Sequence, residues 1–153
     1  MNKDESIRFA ARYLEDLLSF FGINVAVTST IDDDVIQLAV PSTSLNSLLI
    51  GKNADNLRAL QHIVSMALVS KGAEATRVNV DVASYKQHRA ERIAEKAEKW
   101  IAKIRQTGQP MTVDLNAADR RVVHKLAGDY SDIMTHSEGE GRERKLIIEK
   151  KAE

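Results

Sequence analysis

Segments of helical and of strand periodicity alternate along this chain in short runs, and most of the helical runs end at a glycine. That punctuation restricts the chain to small mixed α+β units. Residues 4–21 place Ile7, Phe9, Ala10, Leu14, Leu17, Leu18 and Phe21 at three- and four-residue steps, and Gly22 follows. Residues 23–28 and 35–40 alternate apolar and polar positions, as half-buried strands do, with a turn at Asp32-Asp33-Asp34 between them. Pro41-Ser42-Thr43 closes the second strand, and Ser42 or Thr43 is placed to cap a short helix over 44–50 that stops at Gly51. A longer helix over 54–70 gathers Leu57, Leu60, Ile63, Val64, Ala67 and Leu68 on one face, and residues 77–82 alternate again. The first unit is therefore α-β-β-α-α-β.

A second helical run over 85–106 carries Ile93, Ala97, Trp100, Ile101 and Ile104 in one stripe and Arg89, Arg92, Lys96, Lys99 and Lys103 in another. Gly108 and Pro110 stop it. A short strand over 111–115 precedes a helix over 117–127, with Asn116 as its cap and Gly128 as its stop. Residues 133–137 and 145–149 read as a hairpin around Gly139-Glu140-Gly141, so the second unit is α-β-α-β-β. The boundary falls near residue 84, giving units 1–84 and 85–153, and it has no Gly/Ser linker.

Composition excludes several function classes. The 153 residues include no cysteine, which removes disulfide frameworks, thiol nucleophiles and thiolate metal sites. No apolar run approaches the roughly 18–20 residues of a membrane span, and Met1-Asn2-Lys3-Asp4-Glu5 is not a secretory leader. A soluble cytoplasmic protein is the expectation. The 22 basic and 22 acidic residues cancel, yet unevenly. Residues 1–50 hold three basic residues against seven acids, whereas residues 85–110 hold seven against three. The basic surface is therefore local; it leaves room for a polyanion partner, which bulk charge alone does not suggest.

Two short segments carry candidate chemistry. Ile50-Gly51-Lys52-Asn53-Ala54 breaks two helices with a glycine, and the start of the second helix can present N–H groups to a phosphate, with Lys52 adding a cation. An ordinary corner between helices is the alternative. Arg120 and His124 stand four apart on a helix, hence on one face, with Val122, Val123 and Leu126 turned to a core. Arg120 can donate a fork of hydrogen bonds to phosphate and His124 can donate or stack beside it. The alternative is a solvated polar face with His124 packed on a neighbour.

The first unit's element order resembles a KH type II domain, and Ile50-Gly51-Lys52-Asn53-Ala54 resembles its Ile-Gly-x-x-Gly loop, which clamps about four nucleotides. Ala54 stands where that motif has glycine, and Asp55 follows it. Arg120-x-x-x-His124, after a short strand and before a hairpin, resembles the Arg-x-x-x-His single-strand-binding domain, here the R-three-H domain. With Leu57-Arg58-Ala59-Leu60-Gln61, Asp81-Val82-x-x-Tyr85, His88-Arg89-x-Glu91-Arg92 and Thr135-x-Ser137-Glu138-Gly139-Glu140, the chain resembles the Jag family from about residue 6 to 150. That family comprises bacterial SpoIIIJ-associated proteins, also called KhpB or EloR. Many members have a further N-terminal domain, whereas this chain starts directly in the KH-like unit.

The resemblance implies a non-enzymatic, cytoplasmic, single-stranded RNA-binding regulator, with single-stranded DNA as a second ligand. It implies links to cell elongation and division, and pairing as a homodimer or with a small KH protein. Contacts would come from Gly51, Lys52, Asn53, Ala54 and Arg58, and from Arg120, Arg121, His124 and Lys125. No cofactor or metal is expected. The helical basic stripe can follow a nucleic-acid backbone or simply face solvent, where Glu95 and Lys99 are spaced as an i,i+4 pair. Phe9, Phe21 and Trp100 fall on apolar stripes and read as core, so base contacts would use an apolar groove with Ile50, Leu57 or Leu38. Asp32-Asp33-Asp34 reads as a turn, a cation site being the alternative. His62, His88, His124 and His136 lack zinc-ligand spacing, and His124 with Asp129 or Asp132 is too little for a nuclease. Two rival functions follow from the same residues. One is a protein-interaction or dimerisation module whose KH loop has degenerated at Ala54 and Asp55, and the other is a ribosome-associated structural factor.

Overall fold

The computed structural model describes residues 1–152, which divide into two compact units with the boundary after Lys86. Both are mixed α+β.

The first unit opens with α1 (Lys3–Ser19), started by a capping box in which Asn2 and Glu5 satisfy each other's backbone N–H groups. Ala10, Leu14 and Leu18 are its fully buried stripe. The helix ends two residues earlier than its apolar spacing predicts. Phe20 and Phe21 therefore fall outside it and are 87% and 48% exposed, so Phe21 is not a core residue. Residues 23–27 are irregular although Ile23 and Val27 are buried. Strand β1 starts only at Thr28 (Thr28–Asp32) and pairs antiparallel with β2 (Val35–Val40). Asp33 and Asp34, both at positive φ, make the two-residue loop between them, a geometry that aspartate tolerates and that matches strand twist. After α2 (Asn46–Ile50) and α3 (Asp55–Ser70), strand β3 (Arg77–Val82) pairs parallel with β2, giving the order β1-β2-β3. Helix α2 starts without a side-chain cap on its own N-terminus. Thr43 Oγ1 instead accepts from Leu45 N–H, and Asn46 Oδ1 accepts from Thr43 N–H. Leu57, Leu60, Val64 and Leu68 of α3 pack with Ile36, Leu38, Val78 and Val80, whereas Ile63 is 42% exposed.

Helix α4 (Tyr85–Thr107) leads into β4 (Met111–Val113), α5 (Ala117–Ala127), β5 (Ile133–Glu138) and β6 (Lys145–Lys150). The strands form an antiparallel sheet in the order β4-β6-β5. Ile93, Ala97, Ile101 and Ile104 pack with Val123, Ile133, Leu146 and Ile148, and Trp100 lies half-buried against them. Arg105 closes this unit's turn from α5 to β5. Its Nε and Nη2 donate to the two oxygens of Asp132 at 2.8 and 2.6 Å, and its guanidinium sits 4.9 Å above the Tyr130 ring. Among the described residues, no helix is long and apolar enough to cross a membrane.

Candidate functional site

The two groups of candidate residues lie in separate units. In the first, Gly51 ends α2 at φ +73°, ψ 177°, a region that only glycine enters readily. A Cβ there would stand 2.7 Å from Asn56 Cγ, and Asn56 is held by its Nδ2, which donates to the Leu48 carbonyl at 2.8 Å. Glycine at this position is therefore required twice, by backbone and by space. Lys52–Ala54 follow as a single 3-10 turn, with Asn53 at φ +54° and Ala54 at φ +60°, both left-handed. Ala54 holds a left-handed conformation that glycine enters freely, and it does so at a cost.

Lys52 and Asn53 are exposed, and the Lys52 ammonium makes no hydrogen bond or ion pair among the described residues. Arg58 is exposed too, but its guanidinium is paired with Asp55, the acid in the first turn of α3. Beside α3 runs a groove of about 410 Å³ lined by Arg58, Gln61, His62 and Ser65 from the helix and by Val35, Arg77 and Val78 from the strands. His62 and Arg77 join the candidate surface here without having been singled out from sequence. The spacing of Arg58, His62 and Ser65 along one helix face is the signal that marks it. Leu38 and Leu57 are buried, at 1% and 2% exposure, so they cannot contact a base, and Ile50 is only half-buried.

In the second unit, Asn116 caps α5 by accepting from the Asp119 N–H, as its sequence position predicts, and Gly128 is the C-cap. Buried on this helix are Asp119, Val123 and Ala127, with Val122 and Leu126 only partly so. Arg120 and His124 adjoin that stripe and are half-buried rather than solvated. Arg120 Nη1 donates to the carbonyl of Leu115 at 2.6 Å and to that of Arg144 at 3.4 Å. His124 Nδ1 shares a hydrogen bond with Thr135 Oγ1 at 2.6 Å, and Nε2 one with Ser137 Oγ at 3.3 Å. Burial, and then the charges of Arg120, Arg144 and His136, hold the imidazole below its ordinary pKa, so it is neutral near pH 7. Thr135 and Ser137 stand two apart on β5 and so share a face; in the sequence they carry the family resemblance but no assigned contact. Arg121 and Lys125 are exposed on the next stripe of α5.

The basic stripe of α4 is not uniform. Arg89 does not face solvent as a free cation. Its Nε and Nη2 donate to the two oxygens of Asp119 at 3.1 and 2.6 Å, and Asp119 is only 3% exposed. Arg92, Lys96, Lys99 and Lys103 remain exposed, and Glu95 and Lys99 do not form the ion pair their spacing allows.

This geometry is a positively charged, hydrogen-bonded platform on α5 whose Arg120 and His124 have no carboxylate partner among the described residues. Residues 90–150 match the family model of the R-three-H domain, the Arg-x-x-x-His domain. The chain is similar to KhpB proteins of the Jag family, and the R-three-H match falls in its second unit. It is 25% identical over 152 residues to "RNA-binding protein KhpB" of Clostridium symbiosum, an alignment covering 99% of this chain and 67% of that protein. The namesake from Bacillus subtilis is 30% identical over 108 residues, 69% of this chain and 52% of that protein. That from Lactiplantibacillus plantarum is 27% identical over 143 residues, 91% of this chain and 44% of that protein. The chain thus spans two-thirds of the first relative's length and about half or less of the other two.

Proposed function

We propose that the chain is a non-enzymatic regulator that binds single-stranded RNA through two sites. The carrying observation is the α5 platform. Arg120 uses Nη1 on two backbone carbonyls, which fixes its guanidinium and leaves the Nε–Nη2 edge to fork onto a phosphate. His124, one turn on, is braced through both ring nitrogens by the Thr135 and Ser137 hydroxyls, so it would meet a strand through its ring face and those hydroxyls. Arg121 and Lys125 add charge at the margin. The relatives' shared name supports the same ligand.

The second site is the loop from Gly51 to Ala54, with Arg58 behind it. The element order α-β-β-α-α-β and the backbone exposed by left-handed Asn53 and Ala54 support a KH type II reading of residues 1–84. Residues 85–153 then form the R-three-H unit. The resemblance to the Jag family extends the proposal to a cytoplasmic role in cell elongation or division.

Fluorescence anisotropy with single-stranded RNA, matched DNA and duplex RNA over a salt series tests this. Single-stranded RNA should bind, with log K falling against log salt by about 0.7 per phosphate contacted. Asn53→Asp and the double change Arg120→Ala/His124→Ala should each weaken binding. Loss only with the second shows that the loop does not grip, and no binding by the wild type at low salt overturns the proposal.

One observation favours a second reading, a protein-interaction module pairing with itself or with a small KH protein. Phe21, Leu48, Ile63, Met66 and Val69 are all 42–53% exposed on the first unit, and an apolar cleft of about 280 Å³ lies between Phe21, Leu48 and Ile63. Concentration-dependent mass in sedimentation, abolished by Ile63→Asp, identifies it.

A further inference from the structure

We infer that Gln61 is the base-reading residue of the groove along α3, its side-chain amide selecting bases that offer a carbonyl oxygen over adenine. The inference rests on the RNA-binding reading above and assigns to the first site a base preference that its charges cannot supply.

Strand β3 is an edge of its sheet, so the peptide groups on its outer side have no neighbouring strand. Two side chains of α3 take them up instead. Val80 N–H donates to Gln61 Oε1 at 3.0 Å, and Ser65 Oγ donates to the Thr76 carbonyl at 2.6 Å. Gln61 and Ser65 stand four apart, so the two ties pin one face of α3 to the strand edge along the groove that both residues line.

The first tie also fixes which way the amide faces. A peptide N–H can only donate, so the oxygen of Gln61 is the atom that meets it, and Nε2 occupies the other arm. Nε2 donates to no group among the described residues, and Gln61 is half-buried. The fold therefore holds a donor in one orientation at the wall of the groove. An unconstrained glutamine pairs with adenine through both arms, its oxygen accepting from N6 and its nitrogen donating to N7. Here the oxygen is committed to Val80, which leaves the adenine amino group unmatched. A carbonyl oxygen such as uracil O4 or guanine O6 needs only the donor. Arg58 and Arg77, on the same groove, suit phosphate, which carries no sequence information.

The test is an NMR titration of the full chain with uridine and adenosine tetranucleotides, with affinity read at the backbone amides of residues 51–54. About four nucleotides match the span of one such loop. Wild type should bind the uridine strand several-fold more tightly, and the Gln61 side-chain NH2 resonances should shift with it. Gln61→Glu keeps an oxygen for Val80 N–H but replaces the donor with an acceptor, so the ratio of the two affinities should invert while the Val80 amide stays protected from hydrogen exchange. Gln61→Met removes both groups, so the preference and the Val80 protection should be lost together. A ratio unchanged in Gln61→Glu, with residues 51–54 still responding, overturns this inference alone. So does equal weakening for both strands with Val80 protection lost, which would make Gln61 a structural tie. If neither strand shifts residues 51–54 in wild type, the reading of the loop as an RNA site fails, and this inference fails with it.

Discussion

The Arg89–Asp119 pair makes a quantitative prediction because its two ends differ so much in exposure. The Asp119 side chain is 5% exposed and that of Arg89 37%. Arg89→Ala strands a carboxylate inside the unit, after removing two donors at 3.1 and 2.6 Å. Breaking a buried pair in this way costs about 3–5 kcal/mol, and the lower end applies here because one partner already reaches water. Asp119→Asn removes the charge but keeps the volume, and the guanidinium left behind can rehydrate, so about 1–2 kcal/mol is expected. In a domain of this size each kcal/mol is worth roughly 4–8 °C in Tm. Arg89→Ala should therefore lower the transition by more than about 10 °C, and Asp119→Asn by about half as much or less. Trp100 is the chain's single tryptophan and packs against the second core, so its fluorescence reports this unit selectively. Equal losses, or a larger loss from Asp119→Asn, would refute the reasoning from asymmetric burial. Losses below about 0.5 kcal/mol in both would place the pair among surface ion pairs of no consequence.

His124 should titrate below its ordinary pKa when followed by NMR at the imidazole C–H, and Arg120→Ala should move it back up by removing a like charge. Because the folded-state pKa lies below the unfolded one, the unfolded chain takes up the proton first as pH falls. His124 therefore leaves stability unchanged above the unfolded value near 6.5 and lowers it progressively below that, until the folded pKa is passed. A denaturation midpoint that rises on acidification through this range in wild type, relative to His124→Gln, would contradict that sign. Gly51→Ala should cost about 2–3 kcal/mol by urea denaturation, and adding Asn56→Ala should recover only part, since the positive φ remains. Ala54→Gly should stabilise the chain by about 1 kcal/mol through relief of the left-handed backbone. A loss of stability there would show that the loop's backbone differs from this geometry.

Local chemistry made much of this fold legible before the structure. Strands over 35–40 and 77–82 and the helix between Asn116 and Gly128 were readable because period-2 alternation and caps act within a few residues. The same local view failed where a longer-range contact decides. Phe21 continues the apolar spacing of α1, yet the chain leaves the helix after Ser19 and exposes it. Arg89 belongs to a basic stripe by spacing, but Asp119, thirty residues away, draws it inward. Arg120 and His124 were found as a pair, whereas Thr135, Ser137 and the Leu115 and Arg144 carbonyls that orient them come from other elements. Sequence spacing identifies groups on one helix, and only the tertiary fold supplies their partners. Leu38 and Leu57 make the same point from the opposite side, since apolar residues near a candidate groove turn out to be its supporting core.

The most direct test of the account is a backbone-amide NMR titration of the full chain with a short single-stranded RNA. The account predicts that the largest shifts fall at residues 51–54 and 120–125, with Arg58 and the hydroxyl-bearing Thr135 and Ser137 following. Shifts confined to the apolar face of Phe21, Leu48, Ile63, Met66 and Val69, or no shifts at all, would contradict it.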